Sequence, residues 1–454
     1  MALPPREHSP VTHEGAVAGP DGSVAEALLP GAPPAGAASS SGALPVMLLV
    51  FAVFFLFGGI TNLNDVLVPK LKGLFTLNNT QAMLVQFAFF TSYAIFSIPA
   101  GNLMRRLGYS RGLMLGFAIM AVSCLLFPVA GRNGSYMTFL IALFMIGGGI
   151  TLLQVAVNPL IISVGDPRTA HSRLTFAQLF NSIGVFLIVN FGARVILGEE
   201  ALADPTGLTG PALDAYWAQE TTVLSRTYIG LAIILALIAL AFFVLRGVID
   251  RARPESEPRP QGSSLALLAN PRLRFGVLCI FLYVGAEVAI ASMMVLYLGE
   301  SRTMGLDEKS AGIMMSYYWL GALIGRAAGG FLLRLTRPGW LLALFASAAI
   351  LLITVSALSS GVVSGWAIVV VGLANSIMFP TIFSLATEGL TDEAPQASGL
   401  LCTAIVGGAI VPVLVGFVSD VASRTTALIV PAICYAVIAA FGLYAARHRI
   451  VPVR

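Results

Sequence analysis

Apolar residues in this chain come in long blocks, and polar residues gather in the short stretches between them. There is neither the strict alternation of a strand nor the apolar stripe of a surface helix. Read in windows of about 20 residues, the length that crosses a bilayer as a helix, the blocks fall near 46–70, 81–103, 112–130, 136–163, 174–197, 222–246, 274–299, 309–333, 340–360, 364–387, 398–420 and 427–446. Backbone groups in hydrocarbon find no water, so segments of this kind must satisfy their hydrogen bonds as helices. The pattern predicts an all-α integral membrane protein with twelve transmembrane helices.

The polar interruptions set the organisation. Residues 1–44 are rich in Pro, Gly, Ala and Ser and lack the apolar periodicity of a core, so a disordered tail is expected there, with no signal peptide. The stretch "DRARPESEPRPQGSS" at 250–264 divides the spans six and six. This gives a first half over 45–247, a linker over 248–272, a second half over 273–446 and a short tail over 447–454. "GNLMRRLGYSRGLML" lies between spans two and three, and "GRAAGGFLLRLTRPGWLL" between spans eight and nine. Both place glycine at a helix end, then apolar residues, then arginine and a tight loop. Two halves with corresponding loops are the mark of parallel repeats about an axis along the membrane normal.

Composition and charge agree. Only 11% of the 454 residues are charged and 57% are hydrophobic, against about 25% charged in soluble domains, so a soluble enzyme is excluded. With both termini on one side, the loops on that side hold sixteen Lys and Arg and the opposite loops hold seven. The positive-inside rule then makes the termini cytoplasmic. Cys124, Cys279, Cys402 and Cys434 lie inside apolar blocks, and the four histidines are scattered in tails and loops. Neither a metal site nor a disulfide framework is expected, and no cofactor or nucleic-acid partner. The patterns at Asn78 and Asn133 leave glycosylation open, since the sequence alone does not tell the source organism.

The informative residues are the polar ones inside the blocks. "TNLNDVLVP" ends the first, and Asn62 and Asp65 share a helix face there. An ionised aspartate at a span's centre costs about 2.5–3.5 kcal/mol on insertion scales and is retained where it faces a cavity or a partner. A carboxyl in that position can take up a proton on one side of a membrane and release it on the other. A solvated aspartate at the outer interface is the bland alternative. The fourth block stacks Thr151, Gln154 and Asn158, and the fifth Gln178 and Asn181. Amides donate and accept without charge, as the hydroxyls of a neutral polyol require, although they also serve to tie helices together. In the second half Glu287 shares a face with Tyr283, with Arg326 as a candidate partner, and Tyr317, Tyr318 and Trp319 offer flat faces for a sugar. Asn375, Pro380, Gly407, Gly408 and Pro412 permit close approach and bending.

The two-half pattern resembles the major facilitator superfamily across 46–446, with Arg105 standing where that family's loop usually has aspartate. "LNDVLVP" (63–69), "NSIMFPTIFSLA" (375–386) and "GLLCTAIVGGAIVPVLVG" (399–416) are similar to the fucose–proton symporter family within it. The resemblance implies cavity roles for Asn62, Asp65, Gln178 and Asn181. It also places Gln154 where fucose permeases carry a glutamate, a form that looks like the glucose/galactose branch. With no carboxylate at 154, proton coupling leans on Asp65.

The expectation is therefore a secondary active transporter importing a hexose, glucose or galactose, by cation symport. Sugar would be held by Asn62, Gln154, Asn158, Gln178 and Asn181, the proton by Asp65, with Glu287, Arg326 and Asn375 as gating or cavity residues. A fucose or N-acetylhexosamine carrier, sodium coupling and uncoupled facilitation are the alternatives. No nucleophile–base pair or phosphate loop lies in the spans, so no enzyme is expected. A monomer in a bacterial inner membrane completes the reading.

Overall fold

The structure is a computed structural model that describes residues 46–61, 79–133, 135–164, 166–187, 209–251 and 263–448. Residues 40–454 form one compact unit. The predicted tail over 1–44 lies outside the described residues, as do Asn62, Asp65 and Asn78.

Among the described residues the secondary structure is wholly helical. In chain order the helices are α1 (Val46–Thr61), α2 (Asn79–Arg132), α3 (Tyr136–Ser163), α4 (Ala170–Leu187), α5 (Pro211–Arg251), α6 (Pro271–Leu298), α7 (Glu308–Leu335) and α8 (Pro338–Leu358). They continue with α9 (Gly361–Asn375), α10 (Met378–Thr387), α11 (Ala394–Thr403), α12 (Gly407–Val421), α13 (Arg424–Ala427) and α14 (Ile429–Arg447). Every one of the twelve predicted blocks is met by helix. α2 carries two of them and turns back at Gly108, whose φ of 79° and ψ of 167° suit glycine. The tenth, eleventh and twelfth blocks are each split, into α9/α10, α11/α12 and α13/α14.

Among the described residues eight stretches are long and apolar enough to cross a membrane, and their bare faces agree: Leu237, Val244, Val413 and Phe417 stand well exposed. In water such a surface would be costly, whereas against lipid tails it is neutral. α4 and α7 are among the more polar helices and pack on each other across the two halves. Their polarity marks an interior lining.

Local chemistry starts the helices where the chain must turn. Ser135 caps α3 by accepting from the Thr138 amide, Asn270 caps α6 just before Pro271, and Asp307 caps α7. Within the halves, helices meet over glycine. A Cβ on Gly184 of α4 would lie 2.1 Å from the Phe55 carbonyl oxygen of α1. Gly184→Ala is therefore expected to cost about 1–3 kcal/mol through overpacking, read as a lower thermal midpoint in detergent. Gly230→Ala in α5, where a Cβ meets nothing within 4 Å, leaves that midpoint unchanged or raises it.

The internal repeat is visible in contacts. On the face where α14 ends and α6 begins, here the terminal face, Gly101 and Gly399 bring α2 and α11 together. Their Cβ positions would lie 2.7 Å from the Pro395 carbonyl oxygen and 2.6 Å from that of Ser97. In the other repeat Gly330 of α7 sits against the Phe176 ring of α4, and the Ser172 hydroxyl donates to its carbonyl at 2.6 Å. Each half thus lays its Gly–Arg loop on the start of one helix of the other half, α2 on α11 and α7 on α4. The linker joins in through Ser264, whose hydroxyl donates to Asn102 at 2.9 Å.

Candidate functional site

Midway along the helices two polar surfaces face each other. The first half supplies α3 and α4. Thr151 turns back on its own helix, donating to the Gly147 carbonyl at 2.8 Å, while Gln154 and Asn158 are buried beside it. Gln154 Oε1 and both amide atoms of Asn158 have no hydrogen-bond partner among the described residues. Buried polar atoms of this kind are uncommon and call for an explanation. On α4, Gln178 is buried, and the Asn181 amide donates to the Phe54 carbonyl of α1 at 3.2 Å. Asn181 therefore also has a structural use, holding α1 against α4.

The second half is built around a break. α9 ends at Asn375 and α10 begins at Met378. Pro380 has no N–H and cannot bond to the carbonyl four residues earlier, which is that of Ser376. Arg326 of α7 takes that carbonyl, donating from Nε at 3.2 Å. The Asn375 carbonyl accepts from the Tyr283 hydroxyl of α6 at 3.2 Å. An interrupted helix inside a membrane needs such partners for its freed groups, and interrupted helices commonly line substrate sites in transporters. Tyr283 also donates to Glu287 at 2.7 Å, and the Asn375 amide donates to the Tyr318 hydroxyl at 2.8 Å. Asn375 Oδ1 and the Ser376 hydroxyl have no hydrogen-bond partner among the described residues.

Beside this break, α12 opens at Gly407, whose Cβ would fall 2.0 Å from the Phe281 carbonyl oxygen of α6. Gly408 meets the Phe90 ring of α2 in the same way. The small residues of the eleventh block thus make the close approaches expected of them.

One side chain joins the two surfaces. Arg326 donates from Nη1 to the Ser182 hydroxyl of α4, one residue beyond Asn181. Ser182 in turn donates to the Gln178 carbonyl at 3.2 Å.

Several sequence expectations change here. Among the described residues Arg326 forms no ion pair with Glu287; its guanidinium donates to Ser376 and Ser182 instead. Tyr318 is fully buried and accepts a hydrogen bond from Asn375, whereas Tyr317 and Trp319 are exposed, Tyr317 with its ring beside that of Trp366. Asn62 and Asp65 lie outside the described residues.

Sequence reasoning missed a second cluster, on the terminal face. His171 at the start of α4 sits between the Ser384 hydroxyl, 2.5 Å from Nδ1, and Glu388, 3.0 Å from Nε2. Arg272 at the start of α6 binds the other oxygen of Glu388. Its Nε donates to the Leu385 carbonyl at 2.6 Å and its Nη1 to the His448 carbonyl at 2.9 Å. Next to it Arg334 Nε donates to Ser172 at 3.0 Å and the guanidinium lies over the Phe176 ring. The signal available in the sequence was a lone loop histidine 217 residues from its partner acid.

The family model of the Major Facilitator Superfamily matches residues 49–411. The chain belongs to the major facilitator superfamily. Among curated relatives, the glucose/galactose transporter of Brucella abortus biovar 1 (strain 9-941) is 41% identical over 392 residues, covering 86% of this chain and 92% of that protein. The L-fucose-proton symporter of Escherichia coli (strain K12) is 35% identical over 407 residues, covering 87% and 92%. Among solved structures, the transporter FucP in the outward conformation superimposes with a TM-score of 0.81 at 32% identity, covering 89% of this chain and 99% of that one. These findings bear out the twelve-helix, two-half fold and the resemblance read from the motifs.

Proposed function

We propose that this superfamily member is a hexose symporter that carries glucose or galactose into the cell together with a proton. What supports this most is the near full-length identity to a protein named a glucose/galactose transporter, taken with Gln154 at the position where fucose permeases carry a glutamate. Gln154, Asn158, Gln178, Asn181 and Asn62 form the sugar site, and unpartnered amide atoms on α3 are what a polyhydroxylated ligand would satisfy. Asp65 carries the proton.

In this reading the terminal face is cytoplasmic, and the conformation is the outward one, with that face held shut by the α2–α11 and α4–α7 contacts. Sugar and proton enter from the opposite face. The halves rock, the terminal contacts part, and both leave into the cytoplasm of a bacterial cell. Sugar drives the exchange only through its different affinity for the two states. The protein acts as a monomer, since each half completes the site of the other.

The experiment is uptake of labelled glucose into vesicles holding the purified protein, with and without an inward proton gradient at fixed sodium. Accumulation that follows the gradient is the expected result. Uptake that is indifferent to it would remove proton coupling, and a response to sodium instead would reassign the ion. Absence of uptake by folded protein would sink glucose as the substrate, with L-fucose and N-acetylglucosamine next in line.

A further inference from the structure

Arg326 lies two-thirds of the way along α7, half-buried, in a helix that crosses the membrane. A guanidinium is charged at all times and has five N–H donors. Arg326 spends them on two neutral acceptors, the Ser376 carbonyl and the Ser182 hydroxyl. Among the described residues no carboxylate lies within ion-pair distance of it. An arginine at that depth is tolerated where it faces the bundle interior and a compensating partner, and here the compensation is incomplete.

Glu287 on the neighbouring α6 is in the complementary position. It is a half-buried mid-span carboxylate with a single donor among the described residues, the Tyr283 hydroxyl at 2.7 Å. The other described carboxylates of that half, Glu300, Asp307, Glu388, Asp392, Glu393 and Asp420, all sit at helix ends or in turns. Two opposite charges with no ion-pair partner among the described residues thus share one region of the second half, and one of them is bonded into the first half. Ser182 belongs to α4, so any relative movement of the halves that parts α4 from α7 takes Ser182 away. Ser376 and Glu287 belong to the same half as Arg326 and stay.

We propose that Arg326 and Glu287 form a charge switch: Arg326 ties the halves together through Ser182 in this conformation and passes to Glu287 when the halves rock to open the terminal face. The inference rests on the transport reading for the rocking motion, and on geometry for the pair. Glu287 is in this account a counter-ion that makes the second state accessible, not a sugar ligand. Asn375 and Tyr283 set its place, since Tyr283 bonds both the carboxylate and the freed Asn375 carbonyl.

The test uses the full chain in vesicles with spin labels at 106 and 337, exposed positions on the terminal face of opposite halves. The unsubstituted protein is expected to show a short and a long distance. Glu287→Gln leaves Arg326 without its second partner, so the long distance is lost and turnover of labelled glucose falls at least about tenfold, equivalent to 1.4 kcal/mol. Glu287→Gln combined with Arg326→Gln removes both charges and is expected to recover the long distance and most of the turnover. A merely structural role for either residue predicts the reverse, with the double variant no better than Glu287→Gln alone. That result, or an unchanged distance distribution in Glu287→Gln, would overturn the switch. Sugar-free distances report on it even if glucose is not the substrate, so its failure is separable from failure of the sugar assignment. Glu287→Asp, which keeps the charge, should retain the long distance and guards against loss from misfolding.

Discussion

Asp65→Asn is expected to abolish accumulation of sugar against its gradient while exchange of labelled for unlabelled sugar across the membrane continues. Asparagine matches the shape of a protonated carboxyl and can still hydrogen-bond a hydroxyl, so the sugar site survives. It cannot release a proton, so the loaded and unloaded carriers no longer differ in charge and the gradient has nothing to act on. The size of the effect follows from what it removes. An ionised aspartate within a span costs about 2.5–3.5 kcal/mol, which at 1.4 kcal/mol per factor of ten is roughly 60- to 300-fold in the preference between states that a proton controls. Gln154→Ala is the contrast: it removes a neutral amide of the proposed sugar site, so it should raise the sugar concentration needed for half-maximal uptake and leave the response to the gradient intact. Both variants are read in the vesicle uptake assay. Continued accumulation by Asp65→Asn would move the proton site elsewhere in the chain.

The membrane made most of the fold legible. Lipid leaves the backbone only one economical solution per block, so block length and spacing lead directly to twelve helices, and the doubled Gly–Arg loop leads to two halves. Gly101 and Gly330 could be marked as a repeat from sequence, and the structure adds that each packs on the opposite half. The polar residues were legible as belonging to an interior, because buried amides and acids are rare in spans. What each of them touches was not. Pro380 signals a weak point in its helix, but not that Arg326 and Tyr283 occupy the carbonyls it frees. Glu287 and Arg326 read as a natural ion pair from charge alone. In the structure Arg326 donates instead to the Ser376 carbonyl and to Ser182, a residue with no signal of its own. The His171–Glu388 contact shows the same limit: its partners are 217 residues apart, and nothing local to either one marks the other.

That contact carries the other large effect. Glu388→Ala is expected to lower stability by about 3 kcal/mol and to loosen the terminal face. Arg272 has a side chain only 6% exposed, and removing the acid leaves a buried cation with two carbonyl acceptors and no counter-charge. Breaking a buried pair from one side costs about 3–5 kcal/mol, and the lower end applies because the Leu385 and His448 carbonyls remain. His171 loses its only acid at the same time, so one substitution weakens both the second half, where Arg272 gathers α6, α10 and the end of α14, and the junction between halves. Glu388→Gln keeps the shape and one acceptor and should cost less. A double-mutant cycle with His171→Ala separates the two contributions: contacting residues typically couple by 0.5–3 kcal/mol, whereas independent sites add to within about 0.5. Thermal unfolding in detergent measures the sum, and labels at 106 and 337 report whether the terminal face opens. Additive costs with an unchanged label distance would reduce His171 to a packing residue and leave Glu388 as the counter-ion of Arg272 alone.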